Sequence, residues 1–439
     1  MQIGGSHPVG RLALSVHAGA AYGVSMRSLR LSAALLGAAV LASCAPAPLP
    51  PQPTVTPTAS PSATATSTTP RSGASHSSPS STPTPPPSSP TPSEPFVPRT
   101  ATINVSGDLL WHNSLWNSAE IDGRATGAPR FDFGPQLAGV QEYVSAADLA
   151  ICHSEVPFAP VGGPYQNYPL FAAPQEIAPA IKATGWDMCT TASNHTMDQG
   201  WDGLVRTIEV HRAAGIQTVG SYALEEEAST PVIHTTGDGV RIAVISQTYG
   251  LNGLPKAEGR EWSVELLDAA LAVEQAKAAK EAGADIVAVH MHAGEEYSNE
   301  VNAQQAEYAE AVTASPDVDF VFGQHAHVVQ PITRVNGKWV VYGAGNLIAA
   351  SSPAQPYTYD GYIAQITFTE QEGGGFTATA AEYAPTFITK LSGARPARVF
   401  LIPDELAKGT PLAAEMRQSA ERTRTVVYSL GAEGLTERR

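Results

Sequence analysis

Residues 321–330 read VFGQHAHVVQ, an apolar run that closes on a glycine and is followed by two histidines, His325 and His327, one residue apart. On a β-strand, positions i and i+2 point to one face, and in a loop leaving a strand they can converge on a single point. Either way the two rings can share a partner. A metal ion is the partner that most often takes two neutral imidazoles, and a pair of loop histidines satisfied by ordinary hydrogen bonds is the alternative. The run that leads in, VDFVFGQ (318–324), follows a helical stretch at 302–314. Helix followed by buried strand is the beat of an α/β protein.

The same beat runs upstream. TINVSGD (102–108) reads as a strand ending in a turn, LAGVQEYVSAA (137–147) as a helix and DLAICHSE (148–155) as a buried strand. A helix begins near Pro174, a short strand lies within WDMCTTASNH (186–195), and GLVRTIEVHRAAG (203–215) has helical periodicity. RIAVIS (241–246) and ADIVAVHMHAG (284–294) are strand-like on either side of the helix VELLDAALAVEQAKAAKEAG (264–283). From residue 329, VQPITRVNGKWVVYGAG reads as a hairpin turning at Asn336-Gly337, with further strand-like runs at 361–369 and 375–383. Alternation first and hairpins later predict an α/β body with a mixed sheet.

Polar residues collect where these strands end: Gly107-Asp108, His153-Ser154-Glu155, Asn194-His195, His290 with His292, and His325 with His327. Ligands of α/β sheets bind beyond the carboxyl ends of the strands, so five such groups are expected to converge on one site. Carboxylate oxygen mixed with imidazole nitrogen suits zinc, manganese or iron better than calcium alone. Such a cation polarises a phosphoryl or carbonyl oxygen and acidifies water, which permits hydrolysis without a serine or cysteine nucleophile. No GxSxG elbow, P-loop or Rossmann glycine fingerprint competes with this reading.

At 439 residues, 43% hydrophobic and 15% charged, the chain has room for a real core, and its formal net charge of -15 argues against nucleic acid as a partner. A polyanionic substrate would need a local positive site, which a metal can supply. MRSLRLSAALLGAAVLASC (26–44) has a cationic start, an apolar stretch too short to span a bilayer and small residues after it, the anatomy of a secretory signal. Residues 1–25 carry no targeting logic of their own, so they are read as a non-native extension with Met26 as the start. Leu41-Ala42-Ser43-Cys44 resembles the bacterial lipobox. That resemblance implies a lipidated Cys44 holding the protein on the extracellular face of the membrane. The Pro/Ser/Thr-rich stretch 45–98 is expected to be an extended tether. Cys152 and Cys189 sit in apolar strand-like runs and are expected to be buried free thiols, a bridge being the alternative.

VSGDLL (105–110), DLAICHSEVPF (148–158), the long run FAAPQEIAPAIKATGWDMCTTASNHTMDQGWDGLVRTIEVHRAAGIQTVG (171–220), HAGEEY (292–297), FVFGQHAHVVQPI (320–332) and VVYGAGNLI (340–348) occur in that order. Together they resemble the CapA family of poly-γ-glutamate capsule biosynthesis proteins, within the calcineurin-like metallophosphatase superfamily. The resemblance implies a four-layer α-β-β-α sandwich over residues 99–405, followed by a C-terminal helix and tail (406–439). It implies one or two divalent metal ions, Mn, Zn or Fe, and work on an anionic cell-envelope polymer such as poly-γ-glutamate alongside membrane capsule-synthesis proteins. Residue by residue, Asp108 matches the first metal-binding aspartate, Glu155 the bridging carboxylate, Asn194 the metal-binding asparagine, His292 the next histidine, and His325 and His327 the final pair. His195 matches the residue that protonates a leaving group. The chain departs from the pattern at Leu110, where many metallophosphatases carry a histidine, at Glu155, one methylene longer than aspartate, and at His153. His153 is read as either an added ligand or a group supporting the ligands, and His290 as a strand residue facing away or a supporting group, because His292 already fills the motif, with ligation the alternative. Glu295 and Glu296 are read as reaching solvent or orienting neighbouring histidines, with Glu295 also able to bind substrate amines. Asp198 is read as shaping the turn into the next helix. A metal-dependent hydrolase or transferase is the leading expectation. A non-catalytic tether or export factor for an anionic polymer, or a nucleotidase, are the alternatives.

Overall fold

The computed structural model describes residues 96–351 and 354–439. The N-terminal extension, the signal segment with Cys44, and the tether as far as residue 95 lie outside the described residues. Strands β1 (Thr100–Leu109), β2 (Leu149–Ser154), β3 (Met188–Thr190) and β4 (Gln217–Val219) run parallel. Between them come helices α1 (Asn113–Thr126), α2 (Gly134–Leu137), α3 (Gln141–Ser145), α4 (Ile177–Thr184) and α5 (Gly200–Ala213). After the short α6 (Glu225–Ala228), a second sheet is laid down by β5 (Val232–Thr235), β6 (Arg241–Thr248), β7 (Ile286–His292), β8 (Phe320–Gln324), β9 (Ile332–Val335) and β10 (Lys338–Val341). Helices α7 (Ala269–Glu281) and α8 (Ala303–Thr313) link its parallel strands. The chain then returns to the first sheet with β11 (Asn346–Ile348), β12 (Asp360–Glu370), β13 (Phe376–Ile388) and β14 (Val399–Leu401), and ends in α9 (Ile402–Ala407), α10 (Ala413–Val427) and β15 (Leu435–Glu437).

The two sheets pack face to face. Ile103, Val105, Ile151 and Met188 from the first meet Ile242, Val244, Ile286, Ala288, Phe320 and Phe322 from the second in one buried cluster. The opposite face of the first sheet, at Ala150, Cys152 and Cys189, is covered by Leu115 of α1 and Ile177 and Ile181 of α4. The opposite face of the second, at Ala243, Val287, Val289 and Val321, is covered by Ala272 and Ala276 of α7 and Tyr308 and Val312 of α8. This is the four-layer α-β-β-α sandwich. No helix among the described residues is long and apolar enough to cross a membrane.

Side-chain alternation on a strand then dictates where the polar residues go. On β7, Ile286 and Ala288 face the space between the sheets, so His290 and His292 face it too. On β2, Leu149 and Ile151 face inward, and His153 follows them. Each strand is apolar at its start and polar at its carboxyl end, so the inter-sheet core changes from hydrocarbon to ligand atoms along its length.

Three local expectations change. Cys152 and Cys189 are not free thiols: they are bonded to each other, with Cα atoms 4.5 Å apart. The reason is register, since β2 and β3 pair Cys152 directly with Cys189, and neighbouring strands lie within the reach of a disulfide. The helix read from residue 264 begins at Ala269, where the Asp268 carboxylate accepts from the Ala270 and Leu271 N–H groups. Residues 265–267 instead bond with Thr248 as extended chain. The helix read over 137–147 is split around Gly139, whose Cβ would sit 2.3 Å from the Val399 carbonyl oxygen.

Candidate metal centre

The five strand-end groups meet. His327 Nδ1 lies 3.0 Å from Asp108 Oδ2 and 3.1 Å from Asn346 Oδ1, and His327 Nε2 is 3.6 Å from Glu155 Oε1. His292 Nε2 lies 2.9 Å from Asn194 Oδ1, and the His292 ring centroid is 4.8 Å from that of His325 and 4.7 Å from that of His153. Three sets of side chains have ligand atoms within 4.8 Å of one another: Asp108, His153 and Glu155; His153, His290 and His292; and Glu296, His325 and His327.

The backbone is bent to make this possible. His325 and His327 take φ of 108° and 56°, a region that costs a non-glycine residue energy and is held by surrounding contacts. Gly107 lets β1 approach β11 closely, because a Cβ there would lie 2.3 Å from the Gly345 carbonyl oxygen. Asp108 is thereby set against His327.

Burial governs the titration of the cluster. It raises the Asp108 carboxyl, more than the hydrogen bond and charge of His327 lower it, and it holds Glu155 well above the usual carboxylate range. Burial pushes His290 and His325 down to about 3, and with the neighbouring imidazoles it holds His153 and His292 well below the usual histidine range. Burial acts the same way on His327, but the Glu155 charge and then Asp108 outweigh it and push His327 up to about 10. Four neutral imidazoles and one imidazolium beside two carboxyls therefore describe the metal-free state.

The donor atoms fit a transition-metal cation. Asp108 Oδ1, both Glu155 carboxylate oxygens, His153 Nε2, His290 Nε2, His292 Nδ1 and His325 Nδ1 are buried without a hydrogen-bond partner among the described residues. A purely structural network would pair them, since each buried orphan costs about 1–3 kcal/mol. A mixed set of carboxylate oxygen and imidazole nitrogen is what zinc, manganese and iron take.

His195 follows Asn194 and is 5% exposed. Its Nδ1 lies 2.7 Å from Asp198 Oδ2, and its ring meets Phe171 edge-on at 4.9 Å. Asp198 thus does more than shape a turn, and its spacing of three residues from His195 was the available signal. Glu295 is exposed and belongs to none of the three sets, whereas its neighbour Glu296, also exposed, does. Tyr249 lies 4.5 Å from the His325 ring and Tyr297 6.3 Å from the His327 ring, and both are part-exposed. His112, Thr190, Ser246 and Asn346 complete the surroundings. Strand register reveals the last three, since it pairs Thr190 with His153, Ser246 with His290 and Asn346 with Asp108.

Residues 102–351 match the model of the bacterial capsule synthesis protein PGA_cap family. The chain belongs to this family. Among its relatives it is 28% identical to the PGA biosynthesis protein CapA of Bacillus subtilis (strain 168) over 174 residues, 40% of this chain and 45% of that protein. It is 27% identical to the capsule biosynthesis protein CapA of Bacillus anthracis over 180 residues, 40% of this chain and 43% of that one. The matched stretches therefore span less than half the length of either relative. Among solved structures it is similar to the calcineurin-like phosphoesterase YfkN of Bacillus subtilis, with 15% identity, a TM-score of 0.37, and coverage of 75% of this chain and 100% of that one. A likeness at that score carries no functional weight, and the four layers stand on this chain's own sheets and cores.

Proposed function

We propose that this member of the capsule-synthesis family is a metal-dependent hydrolase or transferase acting on a phosphoester or amide bond of an anionic cell-envelope polymer. Poly-γ-glutamate is the polymer to which the family points. Export by the 26–44 signal and a lipid on Cys44 would hold the enzyme at the outer membrane face, with the Pro/Ser/Thr tether giving it reach. The observation that carries the reading is the set of unpartnered, fully buried carboxylate and imidazole atoms drawn from separate strand ends.

Asp108, Glu155, Asn194, His292, His325 and His327 would hold one or two ions of manganese, zinc or iron. When bound, such a cation supplies positive charge that polarises the scissile group and stabilises developing negative charge. The chain's own proton chemistry lies with His195. The Asp198 carboxylate accepts from its Nδ1–H at 2.7 Å, which fixes the ring and leaves Nε2 as the atom that gives a proton to the leaving group. Phe171 against the ring limits its rotation.

Purified full chain is expected to bind manganese and to lose it in His325→Ala/His327→Ala, and with manganese to cleave an aryl phosphodiester or poly-γ-glutamate. His195→Ala should keep the metal and lose about 10²–10⁴ in turnover. Metal and polymer binding without turnover would make the protein a tether or export factor. Phosphate release from nucleotides alone would make it a nucleotidase.

A further inference from the structure

Three imidazoles come together in the core at the strand ends. His153 on β2 and His290 and His292 on β7 are fully buried, and the His153 centroid is 4.9 Å from that of His290 and 4.7 Å from that of His292. Each ring is fixed from outside. His153 Nδ1 lies 2.8 Å from Thr190 Oγ1, His290 Nδ1 lies 2.7 Å from Ser246 Oγ, and His292 Nε2 lies 2.9 Å from Asn194 Oδ1.

Those bonds determine what the other edges present. Asn194 Oδ1 can only accept, so His292 donates through Nε2–H and its Nδ1 is a bare lone pair. A neutral His153 and His290 that donate through Nδ1–H to their hydroxyls likewise present bare Nε2 atoms. All three of these nitrogens are buried with no partner in hydrogen-bond geometry, Gln324 alone approaching His290, and the three side chains offer ligand atoms within 4.8 Å of one another. Three unpartnered nitrogens in one buried cluster need an electrophile. A water molecule has two hydrogens for three acceptors, whereas a cation satisfies all three. The Thr190 and Ser246 hydroxyls fix the tautomer and orientation of the rings, the part that outer partners play for metal-ligating histidines.

We propose that His153, His290 and His292 form a second, all-nitrogen cation seat, distinct from the carboxylate centre and selective for zinc, nickel or copper over magnesium, calcium or manganese. It rests on the metal reading of the neighbouring centre through His292, and it shares His153 with the Asp108, His153 and Glu155 set, so His290 is the ligand peculiar to it. The His292 ring serves the seat through Nδ1 while Nε2 is turned to Asn194, so a filled seat withdraws one ligand from the centre.

The test uses zinc and the full chain. After loading and gel filtration, elemental analysis is run on wild type, on His325→Ala/His327→Ala, and on that variant with His153→Phe and His290→Phe added. The His325/His327 variant is expected to retain about one zinc per chain, lost once the two phenylalanines are present. A His325/His327 variant without zinc, where wild type binds it, overturns the seat. Equal zinc in wild type and the His325/His327 variant, lost with the phenylalanines, leaves the seat standing and sinks the centre. Should the phenylalanines prevent folding, His290→Asn keeps a partner for Ser246 but lacks the reach of the ring. Cobalt(II) in the His325/His327 variant should then show the intense visible bands of a nitrogen-rich tetrahedral site, absent in His290→Asn. Identical spectra in the two overturn the proposal.

Discussion

Metal uptake at the carboxylate centre should be strongly linked to protons, and His327 sets the size of the effect. In the metal-free protein the Glu155 and Asp108 carboxylates hold its pKa up to about 10. At pH 7 only about one molecule in 10³ then has the neutral imidazole a cation requires, a penalty of about 4 kcal/mol at 1.36 kcal/mol per unit. Between pH 7 and 9 the apparent manganese affinity should rise about tenfold per pH unit. Binding at pH 7.5 should release about one proton, with any proton still held on the raised Glu155 adding to it. His325 contributes none, because burial already keeps it neutral at about 3. Isothermal titration in two buffers of different ionisation enthalpy measures the proton count, and repeating it across pH gives the slope. His327→Gln should bind more weakly and lose the share of the slope that the imidazolium carries, the raised Glu155 and Asp108 keeping the rest. The stability of the metal-free protein carries the same sign. A group whose folded pKa is raised stabilises fully below its unfolded value, about 6.5 for histidine, and that contribution disappears as pH climbs towards 10. Raised Asp108 and Glu155 add in the same direction at lower pH. The metal-free chain should therefore melt lower at pH 9.5 than at pH 6.5, and manganese should narrow the difference. A wild-type affinity that is flat from pH 7 to 9, with no proton released, would refute the placement of His327 between two carboxylates.

Other consequences can be checked singly. Gly107→Ala drives a Cβ to 2.3 Å from the Gly345 carbonyl oxygen and 2.7 Å from Leu347 N; urea unfolding should show a loss of about 1–3 kcal/mol, with weaker manganese binding because Asp108 is displaced. Cys152→Ala/Cys189→Ala opens a loop closed across a sequence separation of 37, which should cost about 4 kcal/mol by chain entropy; a denaturation midpoint unchanged by the substitution, or by thiol reductant in wild type, would count against the bridge. Asp198→Asn leaves the metal ligands intact and removes the charge facing His195, so kcat should fall about tenfold or more with metal content unchanged and KM little affected.

What could be read in advance was whatever depends on period and position along a strand. Ile286, Ala288, His290 and His292 keep one parity, so the hydrophobic half of β7 states where its polar half points; the same holds for Leu149, Ile151 and His153 on β2. The end of each strand is local information, and so the strand-end chemistry was legible. What joins two strands is not local. Nothing near Cys152 announces that Cys189 lies opposite, since that follows from the register of β2 on β3. The hydroxyls of Thr190 and Ser246 are ordinary strand residues until β3 pairs with β2 and β6 with β7, which sets them beside His153 and His290. Even the spacing of His325 and His327 misleads if taken as strand geometry. β8 stops at Gln324, and two consecutive departures into positive φ, interrupted only by Ala326, aim the rings instead. Their centroids end 6.0 Å apart, one ring against His292 and the other against Asp108 and Glu155. With Glu296 the pair still offers ligand atoms within 4.8 Å of one another, so the strained loop, not strand geometry, sets the distance at which both rings face the centre.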